Sequence, residues 1–313
     1  MSLYQTLHEL PRYADGWSFL YIEKSRVERD NNAVTFTHPA GEISVPSAML
    51  ASLLLGPGTT ISHAAVTLLG DSGTTITWVG QGVTKVYAAG TPSDRSTRNL
   101  LHHVAVWASE ESRMEIVRRM YLMRFDEPLD PSLTLQQIRG KEGVRVRDTY
   151  ARMSRETGVA WAGRQYSQND WDSSDPINKA LSTANACLHA IVHAAVVATG
   201  FSPGLGFVHT GKSRSFVYDI ADLYKCELTV PAAFKAVAEG TDKLETRVRR
   251  TCREMFFDNR IIQRIVPDIQ RVLGLKPEQV HFISARAEDN VELELWDPEK
   301  GVVHGGLNYA SES

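Results

Sequence analysis

Between Trp17 and about Ala89 the chain alternates apolar and polar residues in short runs: "WSFLYIEKSRVE", "AVTFTH", "EISVP", "TTITWVG" and "TKVYAAG". A period of two in segments rich in Val, Ile, Thr and aromatics predicts strands. The "NN", "PAG", "GPG" and "DSG" breaks between them predict turns. One segment differs: "SHAAVTLLG" reads as a short helix with Ser62 as N-cap and Gly70 as its stop. Residues 1–90 are therefore expected to form a small β-sandwich domain. After "GTPSDRSTRN" the apolar spacing becomes helical. "RNLLHHVAVWASEESRMEIVRRMYLMRF" predicts one long helix or two, and "LTLQQIRGKEGVRVRDTYARMSRE" another. "DPINKALSTANACLHAIVHAAVVATG" predicts a third, opened by Asp175 and Pro176 and closed by Gly200. "DKLETRVRRTCREMFFDNRIIQRI" continues the pattern, and Pro267 is expected to end it. Residues 91–275 thus read as a larger α-helical domain, which makes the fold class α+β. The tail, 276–313, carries "NVELELWDPEKGVVHGG", whose alternation around "DPEKG" predicts a hairpin.

With 313 residues and 42% hydrophobic content the chain can bury sizeable cores. Its first residues lack a basic start followed by an apolar run, so no signal peptide is expected. The longest apolar run, "CLHAIVHAAVVATGF", is short and carries His189 and His193, so no membrane span is expected either. Cys187, Cys226 and Cys252 are odd in number and far apart, which fits a reducing, cytoplasmic setting.

Charge changes the picture by its distribution. The net −3 conceals a tail with three Lys/Arg and eight Asp/Glu, a net −5 that leaves residues 1–275 at +2. Within that body, Arg113 to Arg155 carries ten basic residues against six acidic ones, and "ETRVRRTCRE" adds four arginines. A nucleic-acid partner is therefore allowed, because phosphate contacts need local basic surface. The plainer reading, solvated helix faces, fits the same residues.

Candidate chemistry concentrates in "GFVHTGKSRSFVYDIADLYK", Gly206 to Lys225. Gly206, Gly211, Lys212 and Ser213 match the phosphate-loop pattern, which would make a nucleotide hydrolase. That motif needs a preceding buried strand and a following helix, whereas a helix end and "FSPGLG" precede it here. Asp219 and Asp222, at i and i+3, would share one helix face, and a divalent cation would relieve their repulsion. The alternative is an Asp222–Lys225 ion pair. His209 lies in the same loop. Glu142 sits between Gly140 and Gly143 in an otherwise helical stretch, where two glycines suggest close approach to the backbone; Glu142 could equally pair with Arg139 or Arg145. His189 and His193, at i and i+4, have the spacing of a zinc pair but lack the intervening Glu, so packing is the expectation. His102 and His103 point apart on a helix and receive no role.

Taken together, "IRGKEGVRVRDTYARMSRETGVAWAGRQY", "DWDSSDPINKALSTANACL" and "GFVHTGKSRSFVYDIADLYK" resemble the CRISPR-associated adaptation endonuclease and integrase of subtype I-E. "LLLGPGTTISHAAVTLLGDSGTTITWVGQGVTKVYAAG" is similar too, so the resemblance spans about residues 17–275. It implies a β-sandwich followed by a helical catalytic domain. It also implies a divalent ion, Mg²⁺ or Mn²⁺, on Glu142, His209 and Asp222, with Asp219 as an auxiliary acid. A 3′-hydroxyl of a short double-stranded DNA fragment would attack a phosphodiester at a CRISPR repeat, without ATP. The partners implied are a second copy of the chain and the small second adaptation protein, whose dimer bridges two homodimers. DNA contacts are expected from Lys85, Arg145, Arg147, Arg164, Tyr166, Trp171, Lys212, Lys225, Arg247, Arg249 and Arg250. Thr60 and His189 depart from the family pattern, which has an arginine and a tyrosine near those places, and Lys85 stands for an arginine. The acidic tail departs as well, and either frays or docks a partner. A non-catalytic DNA-binding scaffold is the other reading these residues allow.

Overall fold

The computed structural model describes residues 18–83, 85–92, 97–125, 127–164, 175–275, 294–297 and 301–304. The strands of the N-terminal part are β1 Ser18–Ile22, β2 Arg26–Asp30, β3 Ala33–His38, β4 Gly41–Pro46, β5 Leu50–Leu55, β6 Thr60–Ile61, β7 Thr75–Val79 and β8 Val86–Gly90. They form two four-stranded sheets, ordered β1-β5-β7-β8 and β4-β3-β2-β6. Helix α1, His63–Asp71, lies with them, and the Ser62 hydroxyl accepts the Ala65 N–H as its N-cap.

The sequence pattern misses β5 and the two-residue β6. The β5 run "LASLLL" has no alternation, because all six residues are buried. It pairs in parallel with both β1 and β7, and a strand covered on both faces reads as a continuous apolar run. Leu53 and Leu55 pack with Val27, Phe36 and Leu69 in the N-terminal core, while Leu54 joins Phe19 and Val79 in the core of the helical part. The central sheet thus serves both cores.

Helices α2 Arg98–Ala108 and α3 Glu110–Leu122 are separate, broken at Ser109, whose hydroxyl caps α3. Helix α4, Leu135–Thr157, opens with a Thr134–Gln137 capping box and ends at Gly158, which takes φ +72°. Helix α5, Pro176–Ala198, is long and apolar enough to cross a membrane by length and composition alone. Here it is the buried centre of the helical part, packed against α7 Val230–Ala238, α8 Leu244–Asp258 and α9 Ile261–Leu273. Its cap is Asp175, as the sequence predicts.

One boundary corrects the sequence reading. Pro267 does not end a helix; it lies inside α9. The break comes earlier, at Asn259–Arg260, where Arg260 adopts φ +48° and starts α9 in a new direction. Between α6, Ser215–Ala221, and α7 runs a π-helical turn, Lys225–Thr229. In the tail, β9 Glu294–Asp297 and β10 Gly301–His304 pair antiparallel, forming the expected hairpin.

Candidate functional site

The loop with the phosphate-loop pattern is explained by its own chain. Gly206 is required by close approach: a Cβ there would stand 2.2 Å from the His209 carbonyl oxygen and 2.6 Å from Ser215 Cβ. Gly211 adopts φ +76°, the left-handed region in which glycine is least strained. The folded loop aims three successive N–H groups, from Phe207, Val208 and His209, at the Asp219 carboxylate, at 2.6, 3.1 and 2.9 Å. A phosphate would need those donors, and Asp219 already takes them. Lys212 and Ser213 are exposed at the surface, and the helix that follows, α6, has only seven residues. The geometry is that of a loop wound on an internal carboxylate, and it rules against the nucleotide hydrolase.

Asp219 itself is fully buried. Besides the three N–H groups it bonds His209 Nδ1 at 2.7 Å. Its carboxylate therefore fixes both the backbone and the ring of His209, and this bond, more than the nearby negative charge, raises the His209 pKa above its ordinary value. The ring's other nitrogen, Nε2, faces Asp222 Oδ2 at 3.9 Å. The expectation that Asp219 and Asp222 share one face in mutual repulsion is thus corrected. Asp219 turns inward, and Asp222, at the C-cap of α6, turns toward α4.

Glu142 is buried on α4. Arg145, one turn on, binds it in a fork: Nε to Oε2 at 2.8 Å and Nη2 to Oε1 at 3.1 Å. The guanidinium of Arg124, just past the end of α3, lies between Glu142 and Asp222, with Nη1 3.4 Å from Glu142 Oε1 and Nη2 3.7 Å from Asp222 Oδ2. Arg124 is buried, yet its Nε and Nη2 make no hydrogen bond. Lys225 forms an ion pair with Asp222 Oδ1, but without hydrogen-bond alignment, so that oxygen is also left without a hydrogen-bond donor. Arg124 escaped the sequence reading: an arginine in "LMRFDE" carries no motif, and only the fold brings it between two carboxylates 18 residues or more away in sequence.

Glu142 and Asp222 therefore share one guanidinium, and His209 Nε2 faces the same Asp222 oxygen that Arg124 approaches. Among the described residues, no three His, Cys, Asp or Glu side chains are grouped so as to hold an ion as they stand. The donor set nonetheless suits a hard or borderline divalent cation: two carboxylates, one of them with an oxygen lacking a donor, and one imidazole whose far nitrogen is tied to a carboxylate. Its accommodation requires the Arg124 side chain to yield. Room lies alongside: Arg124 and Arg145 line a cavity of about 620 Å³, with Tyr224, Glu227, Arg264 and Asp268 on its other walls.

The remaining expected residues divide. Lys212, Arg147 and Lys85 are exposed, Lys85 standing 5.5 Å over the Tyr87 ring. Arg164 reaches from an exposed position to Asn178 and Ser182 on α5. Arg247, Arg249 and Arg250 are engaged with Glu239 and Glu245, the pattern of a paired helix face. Tyr166 and Trp171 lie outside the described residues. Among the described residues, nothing outside the helix's own neighbouring backbone lies within 4 Å of the place a Cβ would occupy at Gly140 or Gly143, so the expected close approach does not come from these residues. His189 and His193 are half-buried on α5, and burial pushes His189 down to about 4. His189 meets Tyr218 edge-on at 4.9 Å.

Comparison with known proteins identifies the family. Residues 121–270, which include Glu142, His209, Asp219 and Asp222, match the family model "CRISPR associated protein Cas1". The chain is 47% identical over 317 residues to "CRISPR-associated endonuclease Cas1 2" of Thermus thermophilus, covering 98% of this chain and 94% of that protein. It is 37% identical over 261 residues to "CRISPR-associated endonuclease Cas1" of Escherichia coli, covering 83% of this chain and 86% of that protein. Among solved structures, that of a TtCas1–DNA complex superposes with a TM-score of 0.78 at 48% identity, over 84% of this chain and 98% of that one. The chain belongs to the Cas1 family of CRISPR-associated endonucleases.

Proposed function

We propose that this chain is a metal-dependent DNA endonuclease and integrase of CRISPR adaptation, of the subtype I-E kind, acting in the cytoplasm. Its reaction joins the 3′-hydroxyl ends of short double-stranded fragments to CRISPR repeat DNA. The observation that carries the reading is that Glu142 and Asp222 share one exchangeable cation, Arg124, while His209, its ring locked by Asp219, faces Asp222. Glu142 and Asp222 supply carboxylate oxygens, and His209 supplies Nε2, to Mg²⁺ or Mn²⁺. When bound, that ion polarises the phosphoryl oxygens and stabilises the oxygens that attack and leave. Asp219 holds Nδ1–H of His209, so the ring keeps the tautomer that presents Nε2 outward.

Lys212 and Lys225 flank the site and carry charge for the phosphodiester, and the exposed Arg147 extends that surface along α4. In the strand transfer one phosphorus–oxygen bond forms to the attacking 3′-oxygen as the bond to the leaving 3′-oxygen breaks. The proton of the attacking hydroxyl passes to solvent, and the leaving oxygen is reprotonated. No high-energy cofactor is consumed, consistent with a loop whose phosphate-binding donors are already taken by Asp219. Lys85, Arg164, Tyr166, Trp171 and the arginines of α8 would extend the DNA path, and ring stacking at Tyr166 or Trp171 contributes about 1–3 kcal/mol per base. The assembly is a homodimer, two of which are joined by a dimer of the small second adaptation protein. The acidic tail with its β9–β10 hairpin is a docking segment for that partner.

The test is integration of a fluorescent duplex into a plasmid carrying a repeat array, with the purified small partner, with and without chelator. Product should require Mg²⁺ or Mn²⁺, should not require ATP, and should vanish in Glu142→Ala and Asp222→Ala. Folded variants that integrate at the normal rate would make the protein a DNA-binding scaffold.

A further inference from the structure

The His209 loop is held from two sides, and only one of them is the Asp219 carboxylate. While the N–H groups of residues 207–209 point to Asp219, the preceding carbonyls point the other way, to α2 and α3. His103 Nε2 bonds the Leu205 oxygen at 2.9 Å, Trp107 Nε1 donates to the Gly206 oxygen at 3.0 Å, and Arg113 Nη2 donates to the Phe207 oxygen at 3.3 Å. Three successive carbonyls are thus taken by three side chains in order. His103 and Trp107, at i and i+4, share one face of α2. Arg113 enters from α3 and lies 5.4 Å over the Trp107 ring.

His103 is fully buried among aromatic rings, 5.5 Å from Phe207 in a stack and 4.4 Å from Phe216. A ring so enclosed stays neutral, and a carbonyl can only accept, so Nε2 carries the proton and Nδ1 is the ring nitrogen left without a partner. A buried imidazole with one unsatisfied nitrogen is costly unless its single bond places something. A loop tied only through its N–H groups to one carboxylate can pivot about it, and ties on the opposite edge remove that freedom.

We infer that His103, Trp107 and Arg113 are positioning residues that fix His209 relative to Glu142 and Asp222, acting through the carbonyls of residues 205–207. The inference rests on the reading that His209 is an ion ligand, and the experiment separates the two. Mn²⁺ affinity is measured by electron paramagnetic resonance on the full chain, beside amide hydrogen exchange of residues 206–209 without metal. His103→Phe keeps the ring packing and removes the donor, whereas His103→Gln restores a donor. Trp107→Phe removes the second donor and decides the matter should His103→Phe not fold.

The expected result is about ten-fold weaker Mn²⁺ binding and faster loop exchange in His103→Phe and Trp107→Phe, the scale of loss typical when a ligand's support is removed. His103→Gln should return to within about three-fold of the unaltered chain. Unchanged affinity in both donor-less variants overturns the inference, even with faster exchange, provided that His209→Ala does weaken binding. Unchanged affinity in His209→Ala overturns the ligand reading instead, and this inference with it.

Discussion

Asp219 and Asp222 are one helical turn apart, and the molecule uses them in opposite ways. Asp219 is saturated: three backbone N–H groups and an imidazole nitrogen, all within 3.1 Å, enclose it completely. Asp222 is flanked by two cations, an arginine at 3.7 Å and a lysine in a close ion pair that is out of hydrogen-bond alignment. A carboxylate with every lone pair matched builds structure. A carboxylate whose charge is balanced while one of its oxygens lacks an aligned donor can change partners. The difference separates scaffold from site within four residues of sequence.

The largest effect should come from attacking the saturated side. Asp219→Ala leaves one buried and two half-buried N–H groups and a ring nitrogen without a partner, and should destabilise the fold by about 3–5 kcal/mol in urea denaturation. On the exchangeable side, Glu142→Gln and Asp222→Asn should lower integration at least ~100-fold, about 3 kcal/mol of barrier, with a smaller shift of the unfolding midpoint than Asp219→Ala shows. Equal destabilisation by all three variants would erase the contrast.

Acid provides a third probe, of the loop's support. His103 takes up its proton near 6.5 in the unfolded chain but only at about 4 when folded, because burial disfavours the charged ring. The unfolded state therefore binds more protons in that window, and stability falls as pH drops from 6.5 toward 4, with no contribution from this group above it. At ~1.36 kcal/mol per pH unit, the loss from His103 amounts to about 3 kcal/mol. Denaturation curves at pH 7 and 4.5 should show a shallower loss in His103→Phe. The smallest effect belongs to Gly140→Ala and Gly143→Ala, which meet open space and should each stabilise α4 by about 1 kcal/mol. Integration that falls while stability rises would show that DNA, not the chain, needs the bare backbone there.

Much of this was legible where the deciding interaction is local. Ser62 and Asp175 act within a few residues of themselves, and each caps its helix as the sequence predicts; β9 and β10, close in sequence, pair as expected. The β5 strand was not legible, because burial on both faces removes the alternation that identifies a strand. Nor was Pro267 decisive, since the break two turns earlier depends on the backbone at Arg260. Within the site, the motif marked His209 and Asp222. That Asp219 fills the glycine loop, and that Arg124 and His103 approach from α3 and α2, depends on contacts spanning 12 to 102 residues, which no spacing rule encodes.

The π-helical turn at Lys225–Thr229 carries a consequence for evolution and engineering alike. It contains one residue more than regular winding would use, with Lys225 against Asp222 at one end and the Thr229 hydroxyl on Asn185 of α5 at the other. Deleting a single residue there would restore ordinary pitch and rotate α7 by about 100°, turning its apolar side off α5 and α8. A change of length there would displace every contact that follows, and the segment acts as a spacer whose count is set by the helices on either side.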